Sequence, residues 1–295
     1  MKLQGSMVAI VTPLKDGKPD LRALRELTEW QILEGTDGIV PCGTTGEGAT
    51  LTAKERVDVI RTVVEAARGR AQVIAGAGSN STAEAIEGVK MARELKADAA
   101  LVVTPYYNKP TAEGLYRHYM AIWDAVGFPV VAYNVPGRTA VDMLPETVAR
   151  LARAGAIAGI KEATASMDRQ IQLVEKVGKD RIAFLSGDDF TVLPYIACGG
   201  HGVISVVGNV APRAMKELVV AARKGDHSTA LERQVALAEL NRVMFIETNP
   251  GPVKAAVALL GKASPEIRLP LWTVSEANLA KIRDAMVRFG LVVAA

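Results

Sequence analysis

Lys161 stands alone as a cation in the apolar run Ile157-Ala158-Gly159-Ile160-Lys161-Glu162-Ala163. Such a run reads as a short buried strand. Burial disfavours the ammonium form and can lower a lysine pKa by up to about 3–5 units, leaving a neutral amine able to condense with a ketone. The competing reading is an ion pair with a neighbouring carboxylate. Glu162 is adjacent, but successive side chains of a strand point to opposite faces, so it is poorly placed to be that partner.

Other chemistry-bearing residues follow short apolar runs in the same way. They are Thr12-Pro13, Cys42-Gly43-Thr44-Thr45-Gly46-Glu47, Gly76-Ala77-Gly78-Ser79, Thr104-Pro105-Tyr106-Tyr107-Asn108, Tyr133-Asn134-Val135-Pro136-Gly137-Arg138, Ser186-Gly187-Asp188-Asp189 and Ser205-Val206. Residues 43–48 lack both the Gly-Lys-Ser/Thr ending of a Walker A loop and the G-x-G-x-x-G spacing, so a backbone nest for a carboxylate fits better than a nucleotide site. Tyr133 reads either as a core tyrosine with a satisfied hydroxyl or as part of the polar rim. Arg138 is either a solvated loop residue or a fork for a substrate carboxylate. Tyr106 and Tyr107 are rim packing or site residues. Asp188 and Asp189 have no matching cluster of carboxylates or histidines, and no metal is expected. His118, His201 and His227 show no ligand spacing and no nucleophile partner, and are expected to be structural or solvated.

The elements that must position these groups are eight short apolar or β-branched runs, at residues 8–12, 38–41, 72–75, 99–104, 129–133, 157–161, 183–186 and 203–207. Between them lie segments of helical period, such as Leu21, Leu24, Leu27, Thr28 and Ile32, or Val57, Ile60, Val63 and Val64, or Ala85, Ile86, Val89 and Ala92. Asp20, Thr52 and Ser81 stand at expected N-caps, and Pro145 at a helix start. Strand followed by helix, repeated, means a parallel sheet. Eight such units predict a (β/α)8 TIM barrel over residues 1–224, whose active site lies at the C-terminal strand ends. Helical patterns at 230–245, 252–260 and 276–289 predict a helical C-terminal extension over 225–295.

Bulk properties favour a small, soluble partner. The 295 residues are 49% hydrophobic and carry a formal charge of only +3, which favours neither nucleic acid nor a disordered tail. Cys42 and Cys198 lack ligand or disulfide spacing, which fits a reducing cytoplasm. The N-terminal residues lack a secretion-signal core, and no uninterrupted apolar run reaches about 18 residues, so neither membrane insertion nor export is expected.

Gly43-Thr44-Thr45-Gly46-Glu47, Tyr133-Asn134-Val135-Pro136-Gly137-Arg138-Thr139 and Gly159-Ile160-Lys161-Glu162-Ala163, in that order and spacing, resemble the class I pyruvate-dependent aldolases of the N-acetylneuraminate lyase superfamily. The dihydrodipicolinate synthase branch matches best, and the match continues into Asn249-Pro250-Gly251-Pro252-Val253-Lys254. The resemblance implies condensation of pyruvate with L-aspartate 4-semialdehyde to 4-hydroxy-tetrahydrodipicolinate, on the route to diaminopimelate and lysine. It implies a Schiff base on Lys161 with no other cofactor, and a proton relay of Tyr133, Thr44 and Tyr107. It also implies pyruvate carboxylate binding by backbone groups of Thr44 and Thr45, with Gly187 and Ile204 near the same substrate. Arg138 is expected to hold the semialdehyde carboxylate. A homotetramer of two tight dimers is implied, with Tyr107 reaching into the neighbouring site.

Asn80, Glu84 and Tyr106 match a lysine-inhibition pocket in the same family. Gly48, Ala53 and Arg56 depart from it, and the like charge of Arg56 predicts weak or absent feedback. Two alternatives stand beside the synthase reading. One is a pyruvate-releasing aldolase acting on sialic acid or a 2-keto-3-deoxy sugar acid. The other is a non-catalytic binding barrel in which Lys161 is merely paired.

Overall fold

The computed structural model describes residues 3–292, and the outer ends of the two expected units, residues 1–2 and 293–295, lie outside them. Eight parallel strands close into a barrel: β1 (Gly5–Val8), β2 (Gly38–Ile39), β3 (Gln72–Gly76), β4 (Ala99–Val103), β5 (Val130–Asn134), β6 (Gly159–Glu162), β7 (Ala183–Ser186) and β8 (Gly202–Ser205). Neighbours follow chain order, and β1 pairs with both β2 and β8. The expected fold class is therefore the observed one.

A helix follows each strand: α1 (Leu21–Leu33), α2 (Ala53–Ala67), α3 (Thr82–Glu94), α4 (Ala112–Val126), α5 (Pro145–Arg153), α6 (Met167–Val177), α7 (Val192–Ala197) and α8 (Pro212–Lys224). The expected caps are in place. Asp20 accepts from the Ala23 N–H at 3.0 Å. Thr52 and Glu55 form a reciprocal capping box, Ser81 caps α3, and Pro145 opens α5 where a missing N–H costs nothing. After Gly225 the chain continues as α9 (His227–Val243), α10 (Gly251–Leu259) and α11 (Glu276–Arg288).

Strand alternation produces two apolar layers. Met7, Val40, Ile74, Leu101, Val131, Tyr133, Leu185 and Ile204 pack inside the barrel, while Val8, Ile39, Val73, Ala132, Ile160, Phe184 and Val203 pack outward against the helices. Because Ile160 faces the helices, Lys161 must face the lumen. This is the link from sequence period to chemistry.

Several strand limits differ from the sequence expectation, most of all the first. The apolar run 8–12 is buried, but the ladder occupies Gly5–Val8. Past Val8 a side chain takes over part of the pairing, since the Val11 N–H donates to Asn209 Oδ1 at 3.0 Å. The second strand likewise ends at Ile39 rather than 41, and the last spans Gly202–Ser205 rather than 203–207.

Candidate active site

Tyr133 on β5 and Lys161 on β6 are direct partners in the strand register. Both point into the lumen, and Lys161 Nζ lies 4.4 Å from the centre of the Tyr133 ring. Lys161 is 5% exposed. Burial pulls its ammonium down to about 8, opposed by the Asp189 carboxylate and reinforced by Arg138. The next residues along each strand point outward and engage each other: Asn134 Nδ2 donates to Glu162 Oε2 at 3.1 Å, and Glu162 Oε1 accepts from the Thr164 N–H at 2.9 Å. Glu162 is thus not the partner of Lys161. Asp189 is fixed by the N–H groups of Val206 and Val207, at 2.9 and 3.1 Å.

Burial raises the Tyr133 phenol above its usual range, while Arg138 and the nearby Thr44 hydroxyl favour ionisation. The phenol is thereby kept as a proton carrier at neutral pH. Gly187 follows β7 beside the amine. A Cβ there would lie 3.1 Å from Lys161 Cε, so glycine keeps the approach to the amine open.

The 43–48 loop is held in a tight arrangement. Cys42 and Glu47 take positive φ values of 57° and 54°. A Cβ on Gly48 would sit 2.1 Å from the Cys42 carbonyl oxygen, so only glycine fits. Thr12 Oγ1 donates to the Gly46 carbonyl at 2.7 Å. The C-terminal helices supply the remaining restraints. Lys254 of α10 forms an ion pair with Glu47 in which both side chains are 1% exposed, and Lys254 also donates to the Thr12 carbonyl at 3.0 Å. The Arg268 N–H donates to Glu47 Oε2 at 3.0 Å, and Asn249 Nδ2 donates to Thr45 Oγ1 at 3.0 Å. The Thr44 and Thr45 N–H groups have no protein acceptor among the described residues. Consecutive free N–H groups in a turn form a concave anion site.

Two adjoining cavities occupy this end of the barrel. The smaller, about 220 Å³, is lined by Thr44, Thr45, Tyr133, Arg138, Lys161 and Gly187, among others. The larger, about 370 Å³, shares Thr44, Tyr133 and Arg138 and extends past Arg56 and Tyr106. Arg138 is carried by the one-turn helix Pro136–Thr139, and its guanidinium has no protein partner among the described residues.

The remaining expected residues lie elsewhere. The Ile204 side chain packs in the inner apolar layer and lines neither cavity. Tyr107 is 89% exposed with φ 71° and also lies outside both. Asn80 Nδ2 donates to the Tyr106 carbonyl at 3.3 Å, and Glu84 accepts from Ser79 Oγ at 2.7 Å, so neither faces the cavities. His118 pairs through Nδ1 with Thr82 Oγ1 at 2.9 Å, and burial pulls it down to about 4. Among the described residues no group of His, Cys, Asp or Glu is arranged to hold a metal ion. None of their helices is long and apolar enough to cross a membrane. Sequence reasoning had not singled out Asn249, Lys254 or Arg268 as supports of the site, although the first two lie in a quoted motif.

A closed eight-stranded barrel with a buried lysine beside a tyrosine, next to two unpartnered backbone N–H groups, has the form of an aldolase-like site. The profile of the dihydrodipicolinate synthetase family matches residues 2–288, and the chain belongs to this family. It is 80% identical over 293 residues to the 4-hydroxy-tetrahydrodipicolinate synthase of Anaeromyxobacter dehalogenans strain 2CP-C, covering 99% of each chain. Among solved structures it is similar to the dihydrodipicolinate synthase of Aquifex aeolicus, at 46% identity and a TM-score of 0.97, covering 99% of this chain and 100% of that one. The chloride-inhibited dihydrodipicolinate synthase of Acinetobacter baumannii, solved with pyruvate, gives the same identity, TM-score and coverage.

Proposed function

We propose that this chain is a lyase of the class I aldolase type that condenses pyruvate with L-aspartate 4-semialdehyde, giving 4-hydroxy-tetrahydrodipicolinate on the way to diaminopimelate and lysine. The observation that carries the reading is the buried, pKa-lowered Lys161 beside Tyr133 in one small cavity.

The chemistry follows from that pairing. Neutral Lys161 attacks the pyruvate ketone and, after loss of water, holds it as an imine. Loss of a methyl proton gives an enamine, whose carbon attacks the aldehyde while Tyr133 delivers a proton to the new alkoxide. The amino group of the second substrate then attacks the imine carbon, and Lys161 leaves as the free amine. Thr44 and Tyr133 pass protons because a hydroxyl can both give and accept one. The free N–H groups of Thr44 and Thr45 take the pyruvate carboxylate, with Gly187 and the backbone near Ile204 bounding that substrate. The unpartnered Arg138 fork takes the carboxylate of the semialdehyde. No cofactor beyond the lysine imine is needed for these steps.

Tyr107 completes the relay from a second copy of the chain, in a homotetramer built from two tight dimers. Its near-complete exposure and left-handed backbone in one chain support that placement. The unit 225–295 is an appendage to the barrel 1–224, and its part in the site is to brace the 43–48 loop through Asn249 and Lys254. The biosynthetic reaction proposed here fits a cytoplasmic enzyme.

The test is pyruvate consumption with aspartate 4-semialdehyde, set against pyruvate release from sialic acid and 2-keto-3-deoxy sugar acids. Consumption with the semialdehyde and no release is expected. Release from a sugar acid, with no consumption, would favour the alternative aldolase.

A further inference from the structure

Asn249 is 4% exposed and sits at the boundary of both cavities, on the segment that leads into α10. Its Nδ2 donates to Thr45 Oγ1, and its Oδ1 is buried with no protein partner. Thr45 Oγ1 itself has no hydrogen-bond acceptor among the described residues, and Thr45 borders the cavity that holds Lys161. A hydroxyl has one proton to donate and lone pairs to accept with. With the amide N–H occupying a lone pair, the Thr45 proton remains free for the cavity.

We infer that Asn249 is a positioning residue for substrate binding: it fixes the polarity of the Thr45 hydroxyl so that its proton faces the substrate carboxylate. Three donors then converge on that anion, the N–H groups of Thr44 and Thr45 and the Thr45 O–H. The amide also joins the pyruvate subsite directly to the C-terminal helices, one turn before Lys254 reaches Glu47.

The inference rests on the proposed role of Thr45 in pyruvate binding, and its test separates hydrogen-bond polarity from shape. Asn249→Ala removes the donor and leaves the hydroxyl free to rotate. It should raise the KM for pyruvate about tenfold, the value of one hydrogen bond to an ion, with kcat little changed. Asn249→Asp keeps the shape but can only accept when ionised. It draws the Thr45 proton away from the cavity and adds a like charge, so it should raise KM further than the alanine does. On a Thr45→Val background, Asn249→Ala should add no further rise. If the alanine variant fails to fold, Asn249→Ser takes its place as the reference for the aspartate. An aspartate variant milder than its reference, or a full additional effect on the Thr45→Val background, would overturn the inference. Borohydride trapping with pyruvate on the unaltered enzyme reads the imine itself. Its failure would reject the proposed function, whereas the wrong order of variants with the imine intact would reject only the role of Asn249.

Discussion

Lys161 Nζ lies 4.4 Å from the centre of the Tyr133 ring because the two residues are register partners on adjacent parallel strands. A slip of one residue would exchange the faces, bringing Glu162 into the lumen and sending the amine outward. The outward contact between Asn134 and Glu162 opposes that slip. Fold and chemistry therefore depend on the same pairing.

Tyr133→Phe keeps the ring and its packing and removes the exchangeable proton. Turnover should fall by about 10²–10⁴-fold, the usual value of general acid–base catalysis, while the denaturation midpoint stays close to that of the parent. Thr44→Val should act in the same direction. Steady-state rates and a denaturant titration check this, and near-normal turnover in a folded Tyr133→Phe variant would exclude the relay.

Lys161→Met should stabilise the fold at neutral pH. The folded-state pKa is about 8 against an ordinary 10.5, so between these values the unfolded chain binds more protons. The buried amine is therefore destabilising below about pH 8, and the penalty fades as the pH rises towards 10.5. Its ceiling is about 3–4 kcal/mol, from about 1.4 kcal/mol per pKa unit over the span from about 8 to 10.5. The difference in unfolding midpoint between parent and variant, followed from pH 7 to pH 10, should shrink with rising pH. A variant less stable than the parent at pH 7 would show that Lys161 is charged and favourably paired.

Arg138→Ala should impair use of the semialdehyde far more than imine formation with pyruvate, because its proposed partner belongs only to the second substrate. The comparison is KM for the aldehyde against the rate of imine trapping. Equal damage to both would place Arg138 on pyruvate and reopen the sugar-acid reading.

Lysine should inhibit weakly or not at all. Arg56 lines the larger cavity beside Gly48 and Tyr106, where it repels an ammonium ion, and Glu84 is already engaged by Ser79. Strong inhibition below millimolar lysine, abolished by Glu84→Ala, would show that Asn80, Glu84 and Tyr106 suffice despite Arg56.

The barrel was legible in the sequence because its signals are local: apolar strand runs, helical periods, and caps such as Asp20 and Thr52. Strand limits were less so, since closure and side-chain pairing set them. The Val11 N–H meets Asn209, 198 positions away. The polar strand ends showed Lys161, Tyr133, Thr44 and Arg138 by residue type. The supports of the 43–48 loop were hidden for the opposite reason. Asn249 and Thr45 are 204 positions apart, and Lys254 and Glu47 207, and no period or motif spacing joins them. Tyr107 shows its type in the sequence but not its destination, which in the proposed assembly depends on a second copy.

Reductive trapping of Lys161 tests the central claim most directly. Borohydride added with pyruvate should inactivate the enzyme and leave a stable secondary amine on Lys161, located by peptide mass mapping, whereas borohydride alone should do neither. The trapping rate should rise with pH up to about 8 and then level, as the neutral amine becomes the main form. An inactivated enzyme with Lys161 unlabelled, or full activity after treatment with pyruvate and borohydride, would contradict the imine mechanism.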